Sequence, residues 1–254
     1  MTELAPADLA FAAMLLVCRL GACGMLLPGT GEAAVPMPVR LGLVLALVPL
    51  LLPALAPAMP PAPDDAAGAL RLVAGELAVG AWIGLLARLV ATALAMAGQL
   101  AAGFIGLSSM IAPDPAMGAQ GTALSQAMGL AAAAVVLASG LYALPLRALA
   151  ESYAVLPAGA PFAAEAPAQA LAEGVAACFA LAVQLCAPLL VLSVLAQVAT
   201  GLLSRVAPQA QVFVVAAPAQ TIAGLALLAL LLPAILSHWG EAARAAWSAL
   251  PGLG

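Results

Sequence analysis

The chain has 254 residues, 66% of them hydrophobic and 7% charged, with a mean hydropathy of +1.17. Seven arginines, no lysine and eleven acidic residues give a net charge of −4. This balance excludes a water-soluble domain, whose surface needs far more charge, and no basic patch is dense enough for nucleic acid. The composition predicts an all-α, polytopic helical membrane protein with about six long apolar helices. Glu3 and Asp8 stand where a secretory signal would carry basic residues, so the N-terminus is expected to be mature sequence.

The first apolar segment runs from about Leu9 to Pro28 and contains one charge, Arg19. A second spans about Val39 to Ala58, with Pro49, Pro53 and Pro57 at four-residue intervals. Each proline removes a helix hydrogen bond, which predicts a kinked or early-ending helix. Residues 29–38 between the two read as a turn, and the acidic, proline-rich stretch from Met59 to Asp65 as a solvent-exposed loop.

The third segment, about Leu70 to Gly103, has no internal proline. At 1.5 Å per residue it is roughly 50 Å long against about 30 Å of hydrocarbon, so it tilts strongly or is partly buried in an assembly. It carries Glu76 and Arg88, which together with Arg19 are expected to be buried charges at helix packing, facing protein or water. Gly80, Gly84, Ala87 and Ala91 form a small-residue face for close helix approach, either within a tilted helix bundle or against partner subunits.

From Gly98 to Gln126 the chain is irregular in composition yet apolar, with Asp114 as its single charge. Pro113 and Pro115 exclude a continuous helix, and Asp114 before Pro115 is biased to extended geometry. A solvated linker would be polar, so a loop of this kind is expected inside protein or lining a cavity.

Gln126 to Leu146 is an uncharged apolar segment, and Arg147 to Glu173 reads as an exposed loop with short helical pieces. Two apolar helices follow, about Gly174 to Leu203 and Val212 to Leu236. The short linker from Ser204 to Gln211 makes them an antiparallel hairpin. Gln184, Ser193, Gln197 and Thr200 mark a polar stripe suited to interhelical hydrogen bonds. The arginines are too sparse to orient the chain by the positive-inside count.

The four cysteines, Cys18, Cys23, Cys178 and Cys186, lie in apolar runs without a CxxC pair and read as packing residues. No metalloprotease, nucleophile-elbow or phosphate-loop motif occurs, and His238 is the single histidine. These features predict no enzyme activity and no cofactor, leaving a conduit, a transporter or an assembly scaffold.

An ordered set of motifs then carries a resemblance. Val35-Pro-Met-Pro-Val-Arg40 leads into an apolar segment; Gly75-Glu-Leu-Ala-Val-Gly80 continues to Gly84, Arg88 and Gly98-Gln99. Asp114-Pro115 and Leu124-Ser125-Gln126 follow, and the most specific is Gly201-Leu-Leu-Ser-Arg-Val-Ala-Pro-Gln209 with Val212-Phe213. Over nearly its whole length the chain resembles the FliR family of the bacterial flagellar type III export apparatus, related to the SctT proteins of injectisomes. It departs at Gln211, where the family usually has Asn, and at Gln220, where it usually has Lys.

The resemblance implies a core subunit of the export gate in the inner membrane at the flagellar basal body. It would form a channel for unfolded flagellar proteins with FliP-like and FliQ-like subunits, beside a FlhB-like switch protein. Residues 1–172 would be FliP-like and residues 173–254 a FliQ-like hairpin with its tip in the cytoplasm, where Ser204, Arg205, Pro208 and Gln209 would meet a partner. The central loop, 106–120, would plug the closed pore. Phe104, Gly106, Met110, Ile111, Pro113, Asp114, Pro115, Met117 and Gly118 are its candidate residues, methionine being suited to seal and yield. The rival reading is a small secondary transporter with a re-entrant loop and Glu76 as coupling carboxylate. It would favour two similar halves with matched broken helices, and the second half has no copy of the loop.

Overall fold

A computed structural model describes residues 5–32, 35–107, 122–160, 162–206 and 212–251, with side chains from 216 onward in the last of these. All regular structure among the described residues is helical. Helix α1 is Pro6–Leu26 and α2 is Met37–Leu55, followed by a 3₁₀ turn, Ala56–Ala58. Helix α3 is Ala66–Phe104, α4 is Ala123–Ala138 and α5 is Ala143–Val155. Helices α6, Glu165–Val206, and α7, Val212–Ser248, are 42 and 37 residues long. Five of these helices are long and apolar enough to cross a membrane, or six spans if the pair α4 and α5, bent by 70°, is one broken span.

Local chemistry explains the ends. Pro6 and Pro38 sit in the first turns of α1 and α2, where a missing N–H costs nothing. Helix α2 tolerates Pro49 and Pro53 and gives way to the 3₁₀ turn that contains Pro57, close to the end expected for this apolar segment. Asp65 accepts a bond from Gly68 N (2.9 Å) and so caps α3. The 70° bend falls at Gly140, whose φ of +72° suits glycine.

Two expectations need correction. Residues 147–155 are not exposed loop: they complete α5, which ends at Val155 and buries Ala148, Leu149, Ser152 and Tyr153, and the irregular connection is confined to the stretch before α6 begins at Glu165. Pro145 lies early enough in α5 to do little harm, and Leu149 and Tyr153 share a face with it. The terminal hairpin is also longer than its apolar runs. Helix α7 passes His238, Glu241 and Arg244 on its exposed side, while Trp239, Ala243 and Trp247, four residues apart, are fully buried.

The chain divides into two compact units. The first comprises Met1–Val90, Val136–Val175 and Ala243–Gly254; Leu15, Leu16, Leu20, Ile83, Ala87, Leu149 and Trp247 are in its core. Here α1 and the first half of α3 run parallel, with Gly80 against the Arg19 backbone and Gly84 against Cys23. The second comprises Ala91–Val135 and Ala176–Ala242, and buries Leu94, Ala101, Met128, Cys186, Leu189 and Ile235. Gly98 lets α3 approach the Leu124 carbonyl of α4, and Ser125 Oγ donates to Ala95 O at 2.9 Å.

Candidate functional site

In the first unit the polar centre is Arg19, 1% exposed in the middle of an apolar helix. A guanidinium there needs its donors filled. Nε reaches Glu76 Oε2 at 2.6 Å and Nη2 reaches Oε1 at 3.0 Å, a bidentate pair with a carboxylate that is itself 2% exposed. Nη1 donates to Ser152 Oγ (3.1 Å), Nη2 to the Leu156 carbonyl (3.0 Å), and the guanidinium carbon lies 3.8 Å from the centre of the Tyr153 ring. One edge of the pair borders an open cavity of about 610 Å³ that Asp65, Arg71 and Phe162 also line.

Gly80 makes this geometry possible. A Cβ there would collide with the Arg19 carbonyl, and one at Gly84 would lie 3.1 Å from Cys23 Cα. Gly80 and Gly84 of the small-residue face seen in the sequence therefore pack on α1 of the same chain. Farther along α3, Arg88 Nη1 lies 3.5 Å from Glu32 Oε1 and 3.4 Å from Gly31 O. That pair is about one-third exposed at each partner, 31% and 32%, and ties the α1–α2 turn to α3.

In the second unit the polar centre sits where α3 ends. Gly106, with φ +80°, turns the backbone out of the helix, and its N–H donates to Gly103 O at 3.3 Å. The carbonyls of Phe104 and Ile105 are met by side chains of α7: Gln220 Nε2 donates to Phe104 O and Thr221 Oγ1 to Ile105 O, both at 2.9 Å. Gln220 Nε2 also reaches Ser193 Oγ on α6 at 3.3 Å, and Gln197 Nε2 donates to the same oxygen at 3.2 Å. One turn along α7, Gly224 is so close to Ile105 that a Cβ would overlap its side chain.

Residues 10–246 match the model of a family described as bacterial export proteins, family 1. The chain belongs to that family. It is 33% identical over 244 residues to the Flagellar biosynthetic protein FliR of Caulobacter vibrioides, covering 96% of this chain and 97% of that protein. To the protein of the same name in Escherichia coli K12 it is 28% identical over 208 residues, 82% of this chain and 79% of that one. The FliR resemblance read from the motifs is thus borne out. As a bacterial export protein of this family, the chain is a component of the flagellar export apparatus, a transport protein with membrane-spanning helices in the bacterial inner membrane at the basal body.

Within this export-family fold the expected site residues separate. Arg19 and Glu76 come together in the α1–α3 packing, whereas Arg88 is not buried and belongs to the turn contact that is about one-third exposed. Phe104 and Gly106 lie at the end of α3, half-buried. Met110, Ile111, Pro113, Asp114, Pro115, Met117 and Gly118 lie outside the described residues, as do Pro208 and Gln209. Ser204 bonds the Gly201 carbonyl of its own helix at 2.8 Å, and Arg205 is exposed in the last turn of α6, where a cation suits the helix dipole. Of the polar stripe, Ser193 is buried and bonded across helices; Gln184 and Gln197 are exposed, and Thr200 Oγ1 returns to Ala196 O. The four cysteines are free thiols, three of them buried. Sequence reasoning missed Ser152 and Tyr153, because the α5 region reads as polar connection, and missed the bonds of Gln220 and Thr221 to α3, because a single polar residue on an apolar helix names no partner.

Proposed function

We propose that this chain is a core subunit of the flagellar protein export gate, forming with FliP-like and FliQ-like partners a channel for unfolded flagellar proteins. The observation that carries this reading is the family match over residues 10–246, with a FliR protein aligned over nearly the full length of both chains. Helix dimensions support assembly with partners. Helices α3 and α6 are about 58 and 63 Å long at 1.5 Å per residue, roughly twice the hydrocarbon thickness. Helix α6 exposes Phe179, Val183, Val194, Leu195, Val198 and Leu202, an apolar face that one chain leaves uncovered and partner helices would cover.

In this reading residues 1–172 are FliP-like and 173–254 a FliQ-like hairpin. The hairpin tip at Ser204, Arg205, Pro208 and Gln209 meets a FlhB-like protein. Residues 106–120 are the plug. Their methionines and Ile111 seal the closed pore by apolar contact, with few directional demands to obstruct a passing chain. The chain is a gate and holds no energy-coupling motif of its own, so the driving force comes from partners and the proton gradient.

Deleting residues 106–120 in cells that carry the export partners tests the gate. The expected result is retained assembly with a raised resting ion leak. Normal secretion and a tight membrane after the deletion would reduce the chain to a scaffold.

A further inference from the structure

The open cavity beside the Arg19–Glu76 pair, about 610 Å³, lies wholly within the first unit, between the start of α3 and the chain that follows α5. Its walls are held by packing. Gly159, at φ +85°, lies against Leu72 and Pro60, and Phe162 meets the Trp82 ring edge-on with centroids 6.3 Å apart. Its charges are not all spent. Arg19 and Glu76 neutralise each other, whereas Arg71 is exposed and its bond among the described residues is a weak 3.4 Å contact from Nε to Ala67 O of its own helix. Asp65 gives one carboxylate oxygen to the Gly68 N–H and has no bond to the other among the described residues. One cation and one anion are therefore left facing the same space.

The depth of the cavity says what can fill it. Helix α1 has 21 residues, about one crossing of the hydrocarbon, so its ends lie near the headgroup layers. Gly80 packs at Arg19 and Gly84 at Cys23, which sets Arg71 level with the second turn of α1. Asp8 Oδ1, in the first turn, accepts a bond from Ala62 N at 3.0 Å, which puts the stretch before Asp65 at the same end. We infer that this cavity is a phospholipid site for a headgroup that joins a phosphate to an ammonium, the phosphatidylethanolamine class. Arg71 meets the phosphate, the second Asp65 oxygen accepts from the ammonium, and Leu72, Val79 and Phe162 cover the upper part of an acyl chain. A purely anionic head would gain Arg71 but face Asp65, and a cation the reverse; a head of both signs satisfies both.

The test titrates the full chain, purified in mild detergent, with dioleoyl phosphatidylethanolamine and with dioleoyl phosphatidylglycerol, and counts bound lipid by native mass. The expected result is one saturable phosphatidylethanolamine, preferred about tenfold over phosphatidylglycerol, the factor that one hydrogen bond to a charged group contributes. Arg71→Gln should weaken both lipids about tenfold, and Arg71→Lys much less. Asp65→Asn keeps a capping side chain for α3 and should abolish the preference between the two lipids. The Cβ of Gly75, which also lines the cavity, would meet nothing within 4 Å, so Gly75→Leu should fill the space and remove the bound lipid. Should that variant fail to accumulate, Arg71→Gln, which alters an exposed side chain, decides. No saturable lipid, a preference for phosphatidylglycerol in the parent chain, or parent-level binding in Arg71→Gln overturns the inference. So does displacement of the lipid by soluble phosphoethanolamine at equal concentration, which would assign the cavity to a free solute.

Discussion

Arg19 and Glu76, 57 residues apart in sequence, close a two-bond ion pair between α1 and α3, at 2.6 and 3.0 Å, with both side chains at most 2% exposed. Removing one partner leaves the other as a buried, uncompensated charge, which costs roughly 3–5 kcal/mol, whereas replacing both by apolar residues is far milder. Glu76→Gln should therefore lower the thermal stability of the purified protein more than Arg19→Met with Glu76→Met does. Equal losses in the single and double variants, by thermal unfolding in detergent, would contradict the pairing.

Glycine position separates contact from tolerance on the same helix. Gly80→Ala places a methyl group into the Arg19 backbone and should destabilise the α1–α3 contact by about 1–3 kcal/mol, as overpacking does. Gly75 has open space where its Cβ would stand. Gly75→Ala should stabilise α3 by about 0.5–1 kcal/mol, the helix preference for alanine. Protease resistance of the two variants in membranes orders them.

Arg88 behaves differently from Arg19 although both are arginines within apolar helices. Its pair with Glu32 is 3.5 Å long and about one-third exposed, so screening by solvent limits it to about 0–1 kcal/mol. Arg88→Gln should leave thermal stability close to that of the parent, with the small difference shrinking further as salt rises.

Trp247 Nε1 donates to the Ala87 carbonyl at 3.1 Å, a fully buried bond that fastens the end of α7 within the first unit. Trp247→Phe keeps the ring and loses that donor, for a cost of about 1 kcal/mol. Truncation to alanine adds a cavity and should cost about 3–5 kcal/mol. Unfolding midpoints of the two variants measure the difference.

Membrane class, the long α3, the terminal hairpin and the family were legible because they rest on composition, unbroken apolar length and ordered motifs. Arg19 and Glu76 were legible as buried charges, since few alternatives exist for a charge inside an apolar helix. Their third-party ligands were not. Ser152 and the Leu156 carbonyl reach Arg19 from α5 and its C-terminal end, 133 and 137 residues away in sequence, and a backbone acceptor leaves no mark in sequence. Arg88 looked equivalent to Arg19 because periodicity alone does not say that a short turn, 27–32, covers it. Gln220 was noticed as a departure from the family, but its partners, Ser193 and the end of α3, are 27 and 116 residues away. Long-range pairing of that kind depends on packing that only the folded chain provides.

The most direct measurement is native mass determination of tagged chain purified in mild detergent, expressed with and without its FliP-like and FliQ-like partners. The account predicts one defined complex containing a single copy of this chain together with both partners. A stable lone monomer or homodimer that forms regardless of those partners would contradict it.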